Sequence, residues 1–302
     1  MPILHLAARH ARLCLVAGLL AGLTLEGLAQ TLKPWLPQLV ALLLFLSAVR
    51  IGPARALGSL REARTTLTVI AAYQLALPLL ALAATLVLGL TGHTMALVLV
   101  LLMSAPPVTG SPNFTALMGH DPAPPMRVLI VGTALFPLTV LPILWALPQL
   151  GDAAAVLTAA LRLLAVIAAA VAIGFAVNRL IRPEESPERL RAADGASAIV
   201  LGVVVIGLMS ALGPALRTEP QAVALWLAFA VAVNFTLQIL AWRITGVAGY
   251  AIQSGNRNIA LFLVALPAEV TDPILIFIGC YQIPMYLTPM IMARLYGRPE
   301  AP

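Results

Sequence analysis

Ser254-Gly255-Asn256-Arg257-Asn258 places a glycine, two asparagines and a full positive charge inside an otherwise apolar run from Ile244 to Pro267. A bilayer-spanning helix needs about 20 mostly apolar residues, and this run has that length. A guanidinium at the middle of such a span costs roughly 2.5–3.5 kcal/mol even on the lenient insertion scale. Arg257 therefore calls for an anion, a cage of carbonyls or water. A fainter interruption lies earlier, at Gly110-Ser111-Pro112-Asn113, following Ala105-Pro106-Pro107. Aligned on the glycine, both stretches read Gly-x-x-Asn, and Ala-Leu follows each, at Ala116-Leu117 and Ala260-Leu261.

The sequence around these two breaks has the composition of a polytopic membrane protein. Of 302 residues, 61% are hydrophobic and 10% charged, and the mean hydropathy is +0.99, outside the range of soluble domains. From Thr65 to His120 there is no Asp, Glu, Lys or Arg, and Val128 to Gly151, Gly195 to Leu216 and Pro273 to Ala293 are free of them as well. The net charge of +6 comes without a basic patch interleaved with aromatics, which argues against a nucleic-acid partner. The arginines fall instead in alternate loops, as membrane topology requires. Cys14 and Cys280 both sit in apolar runs, where they read as small buried hydrophobes rather than a disulfide or metal site.

Periodicity and punctuation predict an all-α chain of ten transmembrane helices. The first apolar stretch, Leu13 to Leu28 behind Arg9 and Arg12, reads as an uncleaved span, because it holds Glu26 and lacks a clear small-x-small site. Further spans are expected at Trp35–Ala48, Thr66–Leu88, Thr94–Leu117, Met126–Leu147, Leu157–Leu180, Ala196–Leu212, Ala222–Trp242, Ile244–Pro267 and Ile274–Leu295. A turn is expected at 148–152 and the longest polar loop at Arg182–Asp194. Pro106, Pro107, Gly110 and Pro112 cannot continue a helix, since proline lacks an N–H and its ring clashes with the preceding turn. Span four is thus two half-helices, and Ser254 and Gly255 mark the matching break in span nine.

Spans five and ten each carry Pro-x-x-x-x-Pro, at Pro137/Pro142 and Pro284/Pro289, 147 residues apart, and the breaks are 145 apart at Gly110 and Gly255. Two features agreeing on one offset divide the chain into five-helix repeats, 1–149 and 150–302. An odd number of spans per half inverts the second repeat in the membrane. Cytoplasmic termini leave only Lys33, Arg162 and Arg217 outside and place Arg9, Arg12, Arg50, Arg55, Arg61, Arg64 and the later loop arginines, Arg298 among them, inside. A bacterial inner membrane is the expected location.

Irregular backbone at membrane depth is tolerated where protein or a water-filled cavity satisfies it, and two breaks in matching places of inverted halves point to a transport site near the midplane. The expected binding residues are Arg257, Asn258, Asn113, Gln253, Asn256, Ser111, Thr109 and Gln74. Arg257 can also be read as a structural cap on carbonyls of the first break. Gln74, Asn234, Gln238 and Gln282 read individually as interhelical hydrogen-bonding glue.

In these residues the chain resembles the bile acid:sodium symporter family, which implies ten spans in two inverted halves with broken, crossing helices four and nine. Span nine of that family carries Glu-x-x-x-Gln-Asn, where this chain has Gln253-x-x-x-Arg257-Asn258. The family's Ser-Asn at the fourth-span break is Pro112-Asn113 here, and its span-five hydroxyl ligands align with Pro125 and Leu129. The resemblance maps a degenerate sodium set onto Gln74, Asn113, Gln253 and Asn258, while Arg257 stands where a fixed positive charge competes with the ion. The expected activity is alternating-access transport of a small organic anion, sodium-independent, with Arg257 as counter-charge to the substrate. Sodium-coupled symport of a bile-acid-type anion and a non-transporting membrane sensor are the alternatives. The expected partners are the small anion and the bilayer, with no cofactor, and the chain is expected to be a monomer or weak homo-oligomer. The four histidines lie in loops or termini, and no paired aspartates sit at depth, so an intramembrane enzyme is not expected.

Overall fold

A computed structural model describes residues 2–58, 62–147 and 153–297, and the regular elements among them are all helical. The turn expected at 148–152, Arg61 and Arg298 lie outside the described residues. Among the described residues, seven helices are long and apolar enough to cross a membrane, or eight if one sharply bent pair near the amino terminus counts as a span. The chain is a helical, integral membrane protein.

The chain begins with α1 (Pro2–Arg9), α2 (Ala11–Thr24) and α3 (Glu26–Leu32), the last leading through a 3-10 turn at Lys33–Trp35 into α4 (Leu36–Gly58). The expected first span is divided: α2 stops at Leu25, and Glu26–Pro53 forms one continuous apolar helical stretch. Glu26 opens α3 with a carboxylate at the positive end of its dipole, so a helix start there is favourable. α4 bends at Gly52, whose φ of 70° is left-handed, just before Pro53.

α5 (Ala63–Ala71) passes through a five-residue π turn, Ala72–Ala76, into α6 (Leu77–Val87). α7 (Thr94–Ser104) ends where Pro106 and Pro107 remove two consecutive donors, and α8 (Ser111–Leu117) restarts with Pro112 in its first turn. α9 (Ala123–Thr139) and α10 (Leu141–Trp145) follow, with Pro137 and Pro142 near their junction. Then come α11 (Ala153–Ile181), α12 (Pro187–Leu208), α13 (Leu212–Thr218), α14 (Pro220–Thr245) and α15 (Ala248–Gly255). α16 (Phe262–Ala265), α17 (Ala268–Thr271), α18 (Leu275–Ile291) and α19 (Ala293–Tyr296) complete the described chain.

These helices gather into two compact units, and neither is a sequence half. The first comprises Met1–Gly58, Leu161–Val223 and Ala260–Gly279; the second comprises Ser59–Ala160, Ala224–Ile259 and Cys280–Pro302. Each unit thus takes segments from both sides of residue 150.

In the first unit α2 lies directly on α12. A Cβ at Gly18 would stand 2.5 Å from the Gly202 carbonyl oxygen, so only glycine permits the approach. Lys33 and Asp272 pair at 3.0 Å, and Arg217 pairs with Glu26. The second unit contains both breaks. Its core includes Ile70, Tyr73, Val128, Ala251, Ile252 and Tyr296, and apolar side chains such as Leu80, Leu138 and Leu240 remain exposed on its outside, as a lipid-facing surface requires.

Candidate functional site

The two interruptions meet backbone to backbone. Val108 N–H donates to the Asn256 carbonyl at 2.9 Å and Asn258 N–H donates to the Pro106 carbonyl at 2.8 Å. Together they form an antiparallel bridge centred on Pro107 and Arg257. Each break thereby supplies partners the other lacks, which is how non-helical backbone survives in an apolar interior. α8 also packs against α15.

Arg257 closes the junction. Its side chain is 1% exposed, and its Nε donates to the Ser254 carbonyl at 2.8 Å. Nη1 donates to the Ala105 carbonyl at 3.0 Å, with a longer contact to the Tyr73 carbonyl at 3.5 Å. The Tyr73 ring lies under the guanidinium, 4.9 Å from ring centre to Cζ, a cation–π arrangement that offsets part of the desolvation cost. Nη2 is buried and has no hydrogen-bond partner.

Local sequence explains why these three carbonyls need a donor. Ser254 and Ala105 lie where α15 and α7 end, so their oxygens belong to the group that no helical N–H reaches. Both ends carry partial negative charge, and a cation there is favourable. At Tyr73 the cause is a proline. Leu77 N–H bonds the Ala72 carbonyl in π register, so the corresponding partner for Tyr73 is residue 78, and Pro78 has no N–H.

A polar network holds the other side of the second break. The Tyr281 hydroxyl donates to the Gly255 carbonyl and accepts the Arg257 backbone N–H at 3.2 Å. Asn234 Nδ2 donates to the same Gly255 carbonyl and to Asn256 Oδ1, the latter at 3.0 Å. Asn256 Nδ2 donates to Thr288 Oγ1 at 3.2 Å. Gln238 Nε2 donates to Asn234 Oδ1 at 2.6 Å and to Thr288 at 3.0 Å, and its oxygen accepts from Tyr296 at 2.8 Å. Gly255 is required by this packing, since a Cβ there would lie 2.2 Å from the Asn234 carbonyl oxygen. Gly110 has more room, its nearest neighbour at 3.6 Å.

The expected binding residues fall into three groups. Asn256 is engaged at both side-chain atoms by Asn234 and Thr288; Ser254 Oγ donates within its own turn and towards Leu237, and Ser111 Oγ donates to the Val108 carbonyl at 2.7 Å. Arg257, Gln253 and Gln74 are each part-used. Gln253 Nε2 donates to the Pro125 carbonyl at 2.6 Å and its oxygen is buried without a partner, whereas Gln74 accepts from Thr139 at 2.9 Å and its Nε2 is left over. Asn113 is exposed, Asn258 and Thr109 are half-buried, and none of these three makes a side-chain hydrogen bond among the described residues. The structure brings Asn258 against Pro106 through the backbone. It gives Asn234 and Gln238 the gluing role read from their composition.

Tyr73, Thr139, Tyr281, Thr288 and Tyr296 are participants the sequence does not flag. A tyrosine or threonine in an apolar run reads the same whether or not a partner 24 to 184 residues away arrives beside it. For Tyr73 alone there is a local signal, the proline five positions on.

No family model and no curated protein matches this chain.

A sodium ion needs several oxygens around one point. Gln74 already uses its oxygen for Thr139, Asn113 is exposed, and the three carbonyls at the junction hold a guanidinium. A second positive charge about 4 Å from Arg257 is repelled by about 4 kcal/mol at the effective dielectric of a protein site. Of the set Gln74, Asn113, Gln253 and Asn258, the Gln253 oxygen is the buried acceptor left without a partner, and Arg257 holds the carbonyls beside it.

Proposed function

We propose that this chain is a secondary transporter of a small organic anion, working without sodium, and that it is a divergent relative of the bile acid:sodium symporters. Counting the apolar helix that follows the amino-terminal bend and the two broken runs as spans gives ten, arranged as inverted repeats 1–149 and 150–302 in a bacterial inner membrane with both termini inside. The observation that carries this reading is the bridge between Pro107 and Arg257. It joins two interrupted apolar segments beside a buried cation, and discontinuous helices are where many transporters form their substrate sites.

Arg257 has two parts in this proposal. Its Nε and Nη1 neutralise the carbonyl ends of the two half-helices, and its unpaired Nη2 gives the junction a residual positive field for an anion. Asn113, Asn258 and Thr109, whose side chains have no protein partner, supply the adaptable donors and acceptors that contact the substrate. Two inverted repeats then expose the junction to either side in turn.

The test is uptake of labelled carboxylates and sulfonates into proteoliposomes containing the purified chain, with and without a sodium gradient. Accumulation that ignores sodium and falls in Asn113→Ala and Asn258→Ala supports the proposal. Robust sodium-driven uptake would replace it with sodium-coupled symport, and no uptake of any anion would leave a non-transporting role such as a sensor.

A further inference from the structure

α1 takes no part in the junction and packs against α12 within the first unit. The chain turns by 88° between α1 and the apolar helix that follows. If that helix crosses the bilayer, α1 lies flat at the membrane surface. It is seated there by α12: a Cβ on Gly195 would stand 1.9 Å from the Leu4 carbonyl oxygen, so the α1 backbone rests directly on that glycine. A ring nitrogen of His5 sits 3.1 Å from the Glu188 carbonyl, and Ala7 is buried.

Away from Gly195, α1 exposes apolar side chains among the described residues. Ile3 is 73% and Leu6 60% exposed, one turn apart on the same face. Apolar side chains on the free face of a short helix lying flat, with arginine at its end, match an interfacial helix whose apolar side enters the boundary between headgroups and acyl chains.

Between α1 and the first turns of α12 runs a crevice of about 630 Å³ lined by His5, Leu6, Arg9, Arg191 and Asp194, among others. The Arg9 side chain makes no hydrogen bond or ion pair among the described residues, and the Arg191 side chain uses only Nε, which donates to the Pro187 carbonyl at 3.2 Å. Asp194, the one acid in the lining, is paired with Arg50. The walls therefore present two guanidinium groups with free donors, beside an apolar edge formed by Leu6.

We infer that this crevice binds the phosphate of an anionic phospholipid, held by Arg9 and Arg191, with the acyl chains lying along Leu6 and Ile3. Two features favour a lipid over a free anion: the cations stand at the rim of an exposed apolar helix face, and the helix lies across the direction of the adjoining apolar helix. Planar guanidinium groups suit a phosphate because their donors can engage two oxygens at once.

The test titrates the full chain in detergent micelles with phosphatidylglycerol or phosphatidylcholine and follows thermal unfolding. Two arginines at a membrane surface predict a roughly thirtyfold lower half-effective concentration for the anionic lipid. The double substitution Arg9→Gln, Arg191→Gln is expected to bring the two lipids to near parity, while Arg243→Gln keeps the preference. A double variant that retains the preference overturns the proposal, as does inorganic phosphate that reproduces the whole effect at matching concentration. Native mass spectrometry of the unsubstituted chain from mixed micelles provides a readout that needs no variant: phosphatidylglycerol adducts should outnumber phosphatidylcholine adducts, and equal retention refutes lipid recognition here.

Discussion

Arg257 donates from Nη1 to the carbonyl of Ala105, the residue just beyond the last turn of α7, across 3.0 Å of space and 152 residues of sequence. One side chain from the second break thereby terminates the first. Removing it leaves the Ala105 and Ser254 carbonyls buried without a donor, so Arg257→Ala is expected to destabilise the chain by about 3 kcal/mol or more. Arg257→Lys keeps the charge but offers one compact donor group in place of a fork, and should fall between. Thermal unfolding in detergent measures both. An alanine variant as stable as the parent would show that the guanidinium is not a structural cap. The arginine therefore cannot be tested for transport by alanine alone, because activity and folding are expected to fall together.

The two glycines that align in the sequence are expected to behave differently. Gly255→Ala forces a methyl against the backbone of α14, where nothing flexible can yield, and should cost several kcal/mol or prevent folding. Gly110→Ala meets only the far edge of the Phe114 ring, and its φ of −77° suits any residue. It should change stability by about 0.5 kcal/mol at most. Comparing expression and melting temperature of the two variants decides the matter, and equal effects would contradict the packing described above.

Tyr281 and Asn234 serve the same carbonyl, that of Gly255. Each single removal, Tyr281→Phe or Asn234→Ala, is expected to cost about 1–2 kcal/mol. The pair should be non-additive by about 0.5 kcal/mol or more, since residues sharing a hydrogen-bond partner are coupled. A double-mutant cycle on unfolding free energy gives the answer; strict additivity would mean the two act independently.

Asn113 and Asn258 are the cleanest probes of activity. Their side chains have no protein partner among the described residues, so Asn113→Ala and Asn258→Ala should leave stability within about 0.5 kcal/mol of the parent. If they contact the transported anion, uptake falls by about tenfold for each lost hydrogen bond, the equivalent of about 1.4 kcal/mol. Unchanged uptake kinetics in both would remove them from the substrate site.

Much of this was legible in the chain itself. Three prolines and a glycine between Pro106 and Pro112 dictate an end to α7, and the structure breaks there. Arg257 within an apolar run demands a carbonyl cage, an anion or water, and a carbonyl cage is found. The part-used states of Gln74, Gln253 and Arg257 were not legible, because hydrogen-bond saturation depends on neighbours supplied by other helices. The sequence reading runs one span through Leu25, because Glu26 alone in an apolar stretch does not distinguish a charge within a span from the first residue of a new helix.

Sequence alone determined that this is an all-helical membrane chain with two interruptions and one charge that must be compensated, because proline stereochemistry and the cost of burying a cation are local properties of the residues. Only the tertiary structure decided what compensates it. The oxygens of Ser254, Ala105 and Tyr73 converge from three separate helical segments, and which carbonyls lack a donor is fixed locally, whereas which cation reaches them is fixed by packing alone.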